Sequence, residues 1–201
     1  MTNTSLTKQE SQATREIIFK AAARLFSEKG YNGVSMREIS EYTRLSKPTI
    51  YYYFGSKEGI YSALVNAGME TGMNQIRKIL QKDISVKQKL VEIIKARFAQ
   101  VHQYPELIKF FLSLFNTTEN LPFLEHFRRV AIERRQILSE LINQGIASGE
   151  FGASARPDLA SEMYVGIITH FLWNQLNTRQ SILSDELAEE IVELLFKGLN
   201  E

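Results

Sequence analysis

The chain predicts an all-α fold, and three observations carry that reading. Apolar residues recur at helical spacing along nearly the whole length. No run alternates β-branched with polar residues, and no Asn-Gly hairpin signal occurs. Four prolines and eleven glycines in 201 residues leave little material for long linkers. That length suits one compact unit or a small unit beside a larger one, with enough chain for a sizeable core.

The elements follow in order. The polar leader MTNTSLTKQESQ lacks the basic-then-apolar pattern of a signal peptide and is expected to fray. A first helix starts at Thr14 as N-cap, carries Ile18, Ala21, Ala22, Leu25 and Phe26 on one face and stops at Gly30. Ser35 and Glu38 form an S-x-x-E capping box for a helix of two turns, Met36 to about Tyr42. Ser46, with Pro48 in the first turn, opens a third helix to Phe54, which Gly55 breaks. Ser56 caps a longer fourth helix with Ile60, Leu64, Val65, Met69, Met73, Ile76 and Leu80 along its apolar side. Five more helices are placed at roughly 86–103, 105–116, 122–148, 157–177 and 185–199, about nine in all. Neither an internal repeat nor a low-complexity tract is present.

Composition narrows the function classes. No apolar stretch approaches the ~20 residues that cross a bilayer, so a soluble protein with no membrane partner is expected. Zero cysteines exclude disulfides, thiolate nucleophiles and cysteine-ligated metals, and suit a cytoplasmic location. The net charge of +1 hides an asymmetry: residues 1–60 hold nine Lys/Arg and six Glu, an excess of +3, and the remainder is acidic. Such an excess fits either a solvated helix face or a nucleic-acid surface.

The segment KPTIYYYF, Lys47 to Phe54, helps to decide between them. Successive helical side chains turn by about 100°. If Ile50 and Phe54 form the buried pair, Tyr52 points about 180° from the core, with Tyr51 and Tyr53 about 80° to either side. Pro48 and Thr49 share the outward face. A tyrosine ring can touch a thymine methyl while its hydroxyl reaches a phosphate. Two short helices joined by Thr43-Arg44-Leu45 and buttressed by a preceding helix follow the helix-turn-helix plan, whose second helix enters the major groove. Ser46 and Lys47, Ser35 and Arg37, and Lys57 each stand at a helix N-terminus, where free N–H groups favour phosphate.

These residues closely resemble the TetR family of transcriptional regulators. The signature is carried by T-x-x-x-I-x-x-A-A-x-x-L-F-x-x-x-G-Y from Thr14 to Tyr31, by Val34 to Ile39, by Ser46 to Phe54 and by Ser56-Lys57-Glu58. Gly145 to Phe151 followed by Pro157 to Ala160 looks like the family's C-terminal half. The resemblance implies a DNA-binding domain over 12–58 and a ligand-binding and dimerisation domain over 59–201. It implies DNA contacts from Arg37, Lys47, Pro48, Thr49, Tyr51, Tyr52, Tyr53 and Lys57, with Ser35 and Ser46 as helix-terminal contacts. Ile39, Leu45, Ile50 and Phe54 would form the motif's core. Two departures stand out. Arg44 occupies a position where the family commonly has glycine, and Tyr53 replaces a frequent histidine. A left-handed backbone at Arg44 would cost on the order of 1 kcal/mol.

The larger half shows no H-E-x-x-H, no paired catalytic carboxylates and no phosphate-binding glycine loop, so neither an enzyme nor a metal or cofactor site is expected. His102, His126 and His170 read as pocket or surface residues. Phe98, His102, Phe110, Phe111, Phe115, Phe127, Tyr164, Phe171 and Trp173, with Asn116, Asn174 and Gln175, offer either plain core or the lining of the ligand cavity that the resemblance implies. An apolar or aromatic small-molecule effector would suit them. The helix over 157–177 has too wide an apolar arc for one buried face and must bury two. Similarity to the family suggests that it and the final helix meet their copies in a two-fold four-helix interface, with Ile168, Leu172, Leu176, Ile191 and Leu195 as contacts. The expectation is thus a homodimeric repressor released from a palindromic double-stranded DNA operator by an effector that moves the fourth helix. An activator on the same fold, a helical ligand carrier without DNA function and a small helical enzyme are the alternatives.

Overall fold

A computed structural model describes residues 3–115, 124–152, 154–178 and 181–197. Among them are nine helices and no strand. They are α1 (Asn3–Lys29), α2 (Met36–Thr43), α3 (Lys47–Phe54), α4 (Lys57–Leu80), α5 (Val86–Gln103), α6 (Pro105–Phe115), α7 (Leu124–Ala147), α8 (Pro157–Asn177) and α9 (Asp185–Lys197). The helix ends expected from the sequence at Asn116, at Pro122 and Phe123, and at Gly198 and Leu199 lie outside the described residues. The chain divides into two compact units. The first runs to Gly68 and takes in α6 from Glu106 onward; the second holds Met69–Pro105 and α7 to α9.

Local signals set the short helices of the first unit. Ser35 Oγ accepts from the Glu38 N–H at 3.2 Å while Glu38 Oε2 accepts from the Ser35 N–H at 2.8 Å, the reciprocal pair of a capping box. Ser46 Oγ accepts from the Thr49 N–H at 3.2 Å, and Ser56 Oγ from the Gly59 N–H at 3.0 Å, opening α3 and α4. Gly30 ends α1 at φ 70°, a left-handed conformation that glycine adopts without a Cβ clash.

Helix α1 corrects one expectation. Its helix begins at Asn3, not Thr14, and the Thr14 hydroxyl donates to the Glu10 carbonyl at 2.9 Å, a bond made inside a helix. The leader contains neither glycine nor proline, and each residue added to an existing helix gains a backbone bond.

The core of the first unit joins α1, the start of α4 and α6 through aromatic rings. Phe26 and Tyr61 meet edge-on at 4.9 Å, and Tyr61 and Phe110 at 5.0 Å. Gly68 carries no side chain where the Phe111 ring lies against the helix; any Cβ there would collide with it.

In the second unit α5, α7, α8 and α9 pack around Leu90, Ile94, Leu138, Ile142, Ala160 and Val192, all buried. The Tyr164 hydroxyl, fully enclosed, donates to the Leu90 carbonyl at 2.6 Å, and this bond offsets the cost of burying it. Glu150 accepts from the backbone N–H groups of Val86 and Lys87 at 3.1 and 3.0 Å, so the turn after α7 caps α5. Among the described residues no helix is long and apolar enough to cross a membrane.

Candidate nucleic-acid interface

Helices α2 and α3 are built to present one face. Ile39 and Ile50 are wholly buried and Val34 nearly so, which pins both helices from beneath. The intervening turn is locked by side chains. Ser40 Oγ donates to the Leu45 carbonyl at 2.6 Å, Thr43 Oγ1 donates to the Ile39 carbonyl at 2.7 Å, and the Leu45 N–H donates back to Thr43 Oγ1 at 3.3 Å. Arg44 closes α2 at φ 57° and ψ 23°, left-handed, in the place where the family resemblance led to glycine being expected. Its backbone is therefore strained, and the three bonds around it hold the strain in place.

The phase of α3 follows from this. Tyr52 is 83 % exposed above an Ile50 at 0 %, and Tyr51 is 47 % exposed. Tyr53 is half-buried and sets its ring edge-on to Tyr52 at 5.2 Å. Phe54 is half-buried, not fully buried. It stacks on Phe19 at 6.4 Å with the Arg15 guanidinium 5.5 Å from its ring, and Leu45 is likewise half-buried. Ser46, Lys47 and Pro48 are exposed, and Lys47 has no hydrogen bond or ion pair among the described residues. Thr49 is half-buried, its hydroxyl 2.8 Å from Ser46 Oγ.

Two expected phosphate cations are placed differently. Lys57 Nζ donates to the Tyr31 carbonyl at 2.9 Å and lies 4.1 Å from the centre of the Tyr31 ring, so its charge joins α4 to the segment after α1. Arg37 is exposed but bonds Glu41 at 2.7 Å across one helical turn. Glu38, besides capping, accepts from Lys29 at 2.8 Å. The Lys29 bond first and the Ser35 bonds after it hold the Glu38 carboxyl down at about 2.

The expected cavity residues are divided between the two units. Phe110 and Phe111 are buried in the first unit, whereas Phe98, Phe127 and Tyr164 are buried in the second. His102 is exposed, Phe115 is 45 % exposed and Trp173 is 51 % exposed, so none of the three is enclosed among the described residues. Asn116 lies outside the described residues. Phe171, half-exposed, faces a surface groove of about 380 Å³ between α8 and α9, shared with Met163, Ile167, Leu187, Ile191 and Leu194. Conversely Ile168 and Leu172, expected on an intermolecular face, are buried on the inward side of α8 with Tyr164. Leu176 is half-buried, while Ile191 and Leu195 are largely covered and still border the groove. Helix α8 is apolar on both sides, so spacing alone did not reveal which side met the core. Leu187 and Leu194 were readable in the sequence as apolar positions of α9, but only the packing turned them outward.

The fold and this exposed helix define a helix-turn-helix regulator. The family model described as "Bacterial regulatory proteins, tetR family" matches residues 18–64, which span the end of α1, both motif helices and the start of α4. The HTH-type transcriptional repressor NicS of Pseudomonas putida is 27 % identical over 197 residues, covering 93 % of this chain and 88 % of that protein. Solved structures agree in fold. The ketosteroid transcriptional regulator KstR2 of Mycobacterium tuberculosis superposes with a TM-score of 0.77 at 17 % identity, covering 93 % of this chain and 95 % of that one. FadR from Bacillus subtilis, solved with stearoyl-CoA, gives 0.74 at 24 % identity, covering 91 % and 98 %. Residues 18–64 thus carry the N-terminal DNA-binding domain of the TetR family of transcriptional regulators, and the chain over most of its length is similar to such repressors.

Proposed function

We propose that the protein is a cytoplasmic homodimeric repressor that binds a palindromic operator through α3 and leaves it when a small molecule binds the second unit. The observation that carries this is the α3 face, where Lys47, Pro48, Tyr51 and Tyr52 project from a helix anchored by a buried Ile50. Lys47 at the helix start would take a backbone phosphate, and the tyrosine rings would meet base edges and thymine methyls. Ser35 and Ser46 contribute chiefly as caps that aim the N–H groups of α2 and α3, and Arg37 reaches DNA once it leaves Glu41. Lys57 acts mainly as a brace for α4, and Tyr53 and Thr49 as supports for Tyr52 and Ser46.

The apolar groove of α8 and α9 supports the dimer. Leu194 is 71 % exposed, Met163 44 % and Leu159 48 %, an unusual amount of apolar side chain for one face. A two-fold copy would cover it as a four-helix interface and set two α3 helices ~34–36 Å apart, one turn of B-DNA. Helix α4, whose residues are shared between the units, is the element through which effector binding alters that spacing.

Gel-shift titration on the DNA upstream of its own gene tests the reading. Saturable, palindrome-dependent binding that weakens steeply with salt is expected. Binding without sequence preference would reject it.

A further inference from the structure

Two arginines in the second unit lack, among the described residues, the carboxylate that a deep guanidinium normally has. Arg97 on α5 keeps the spacing of Leu90, Ile94 and Val101; Arg134 on α7 keeps that of Phe127, Ala131 and Leu138. All six of these neighbours are buried. Each arginine is half-buried overall, and burial pulls both guanidinium groups below their ordinary range. Arg134 Nε is sealed from solvent and has no acceptor among the described residues.

Arg97 is held by neutral groups instead. Its Nη1 donates to Gln100 Oε1 at 2.7 Å, and Gln100 Nε2 donates in turn to Gln75 Oε1 at 2.6 Å. Gly72, one turn before Gln75 on α4, leaves room for Nη1, which lies 3.5 Å from where a Cβ would be. The relay orients the guanidinium but leaves its other N–H donors unspent among the described residues. Burial first, and the charge of Arg134 second, pull the Arg97 guanidinium down to about 10. Glu133, next to Arg134 in sequence, pairs with Arg77, and Glu162 pairs with Arg135. Two cations that repel each other, Arg97 oriented by amides and neither paired with a carboxylate among the described residues, are costly to hold unless an anion arrives from outside.

We propose that Arg97 and Arg134 form the anion-binding end of the effector site, and that the effector is a small amphiphile bearing a carboxylate or phosphate. Gln75 and Gln100 are positioning residues for Arg97. The apolar stripes that carry the two arginines suit the hydrocarbon part. This inference rests on the reading of the chain as an effector-responsive repressor and narrows the expected apolar or aromatic effector to an amphiphile with an acidic end.

The test uses the full-length protein and isothermal titration calorimetry with straight-chain carboxylates from butanoate to dodecanoate, alkyl phosphates of equal length and the matching primary alcohols. Binding of one anionic series at least about 10-fold tighter than the alcohols is expected, as charge-assisted bidentate bonds require. Whichever series wins identifies the headgroup. Arg97→Met and Arg134→Met should each abolish that preference while the thermal midpoint holds or rises, because an uncompensated charge leaves the interior. Equal binding of anions and alcohols would overturn the proposal. So would anion preference surviving in both variants, or a fall in midpoint of the kind a structural arginine gives. Operator binding by the unsubstituted protein is scored separately: its absence would reject the repressor reading while leaving the calorimetric result on the arginines intact.

Discussion

Ser40 Oγ donates to the Leu45 carbonyl at 2.6 Å, spanning the left-handed Arg44 between them. That bond holds a turn whose central residue is disfavoured there, and it sets the angle at which α3 leaves α2. Ser40→Ala is expected to destabilise the first unit by about 1–2 kcal/mol, because the carbonyl loses its partner and the strained turn loses its lock. Arg44→Gly should act oppositely. Relief of the left-handed strain, partly offset by added freedom in the unfolded chain, should yield about 0.5–1 kcal/mol. Urea unfolding followed by circular dichroism checks both signs.

Lys47 and Lys57 are both at helix starts, yet their surroundings differ. Lys47→Met should leave stability unchanged and lower the slope of log affinity against log salt by about 0.9, the loss of one phosphate contact. Lys57→Met should cost about 1–2 kcal/mol of stability through the lost Tyr31 carbonyl bond and ring contact, with a smaller effect on the salt slope. Salt-dependent fluorescence anisotropy on labelled operator, paired with thermal melts, separates the two.

Tyr52→Ala should leave the melting curve in place, since the side chain is 83 % exposed. It should weaken operator binding by about 1–3 kcal/mol if the ring meets base edges, with little loss on non-specific DNA. Competition binding with specific and random duplexes reads the difference.

Glu38 makes the first unit acid-sensitive in a defined window. Its folded carboxyl titrates near 2 against an ordinary value of 4.5. The native state thus binds fewer protons than the unfolded chain, and stability present above 4.5 is lost as pH falls toward 2. Glu38→Gln should flatten that part of the stability-pH curve while lowering stability at neutral pH. Denaturant melts at pH steps from about 6 to about 2 measure it.

The groove of α8 and α9 is tested by Leu194→Glu. Leu194 is 71 % exposed in the single chain, so a charge there should leave the monomer fold intact and break the dimer. Light scattering at micromolar concentration should show a monomer, and operator affinity should fall because one half-site alone is engaged. Ile168→Glu, buried on the other side of α8, should instead unfold the protein.

The residues by themselves determined what depends on neighbours within a turn or two. Ser35 with Glu38, Ser46 with Pro48, and Gly55 delimit α2 and α3 through bonds that span at most four residues, and the angle between Ile50 and Tyr52 is a property of any helix. The family match of the N-terminal domain was legible for the same reason, since the matched residues 18–64 are a run of such local signals. Tertiary packing decided the rest. Helix α8 is apolar on two sides, and only its neighbours turned Ile168 and Leu172 inward and Ile167 and Phe171 toward the groove. Lys57 is drawn to Tyr31 across 26 positions of chain, and no spacing rule links those two residues. The sequence pattern does not single out Arg97 and Arg134, because the cost of burying a charge depends on what surrounds it in space.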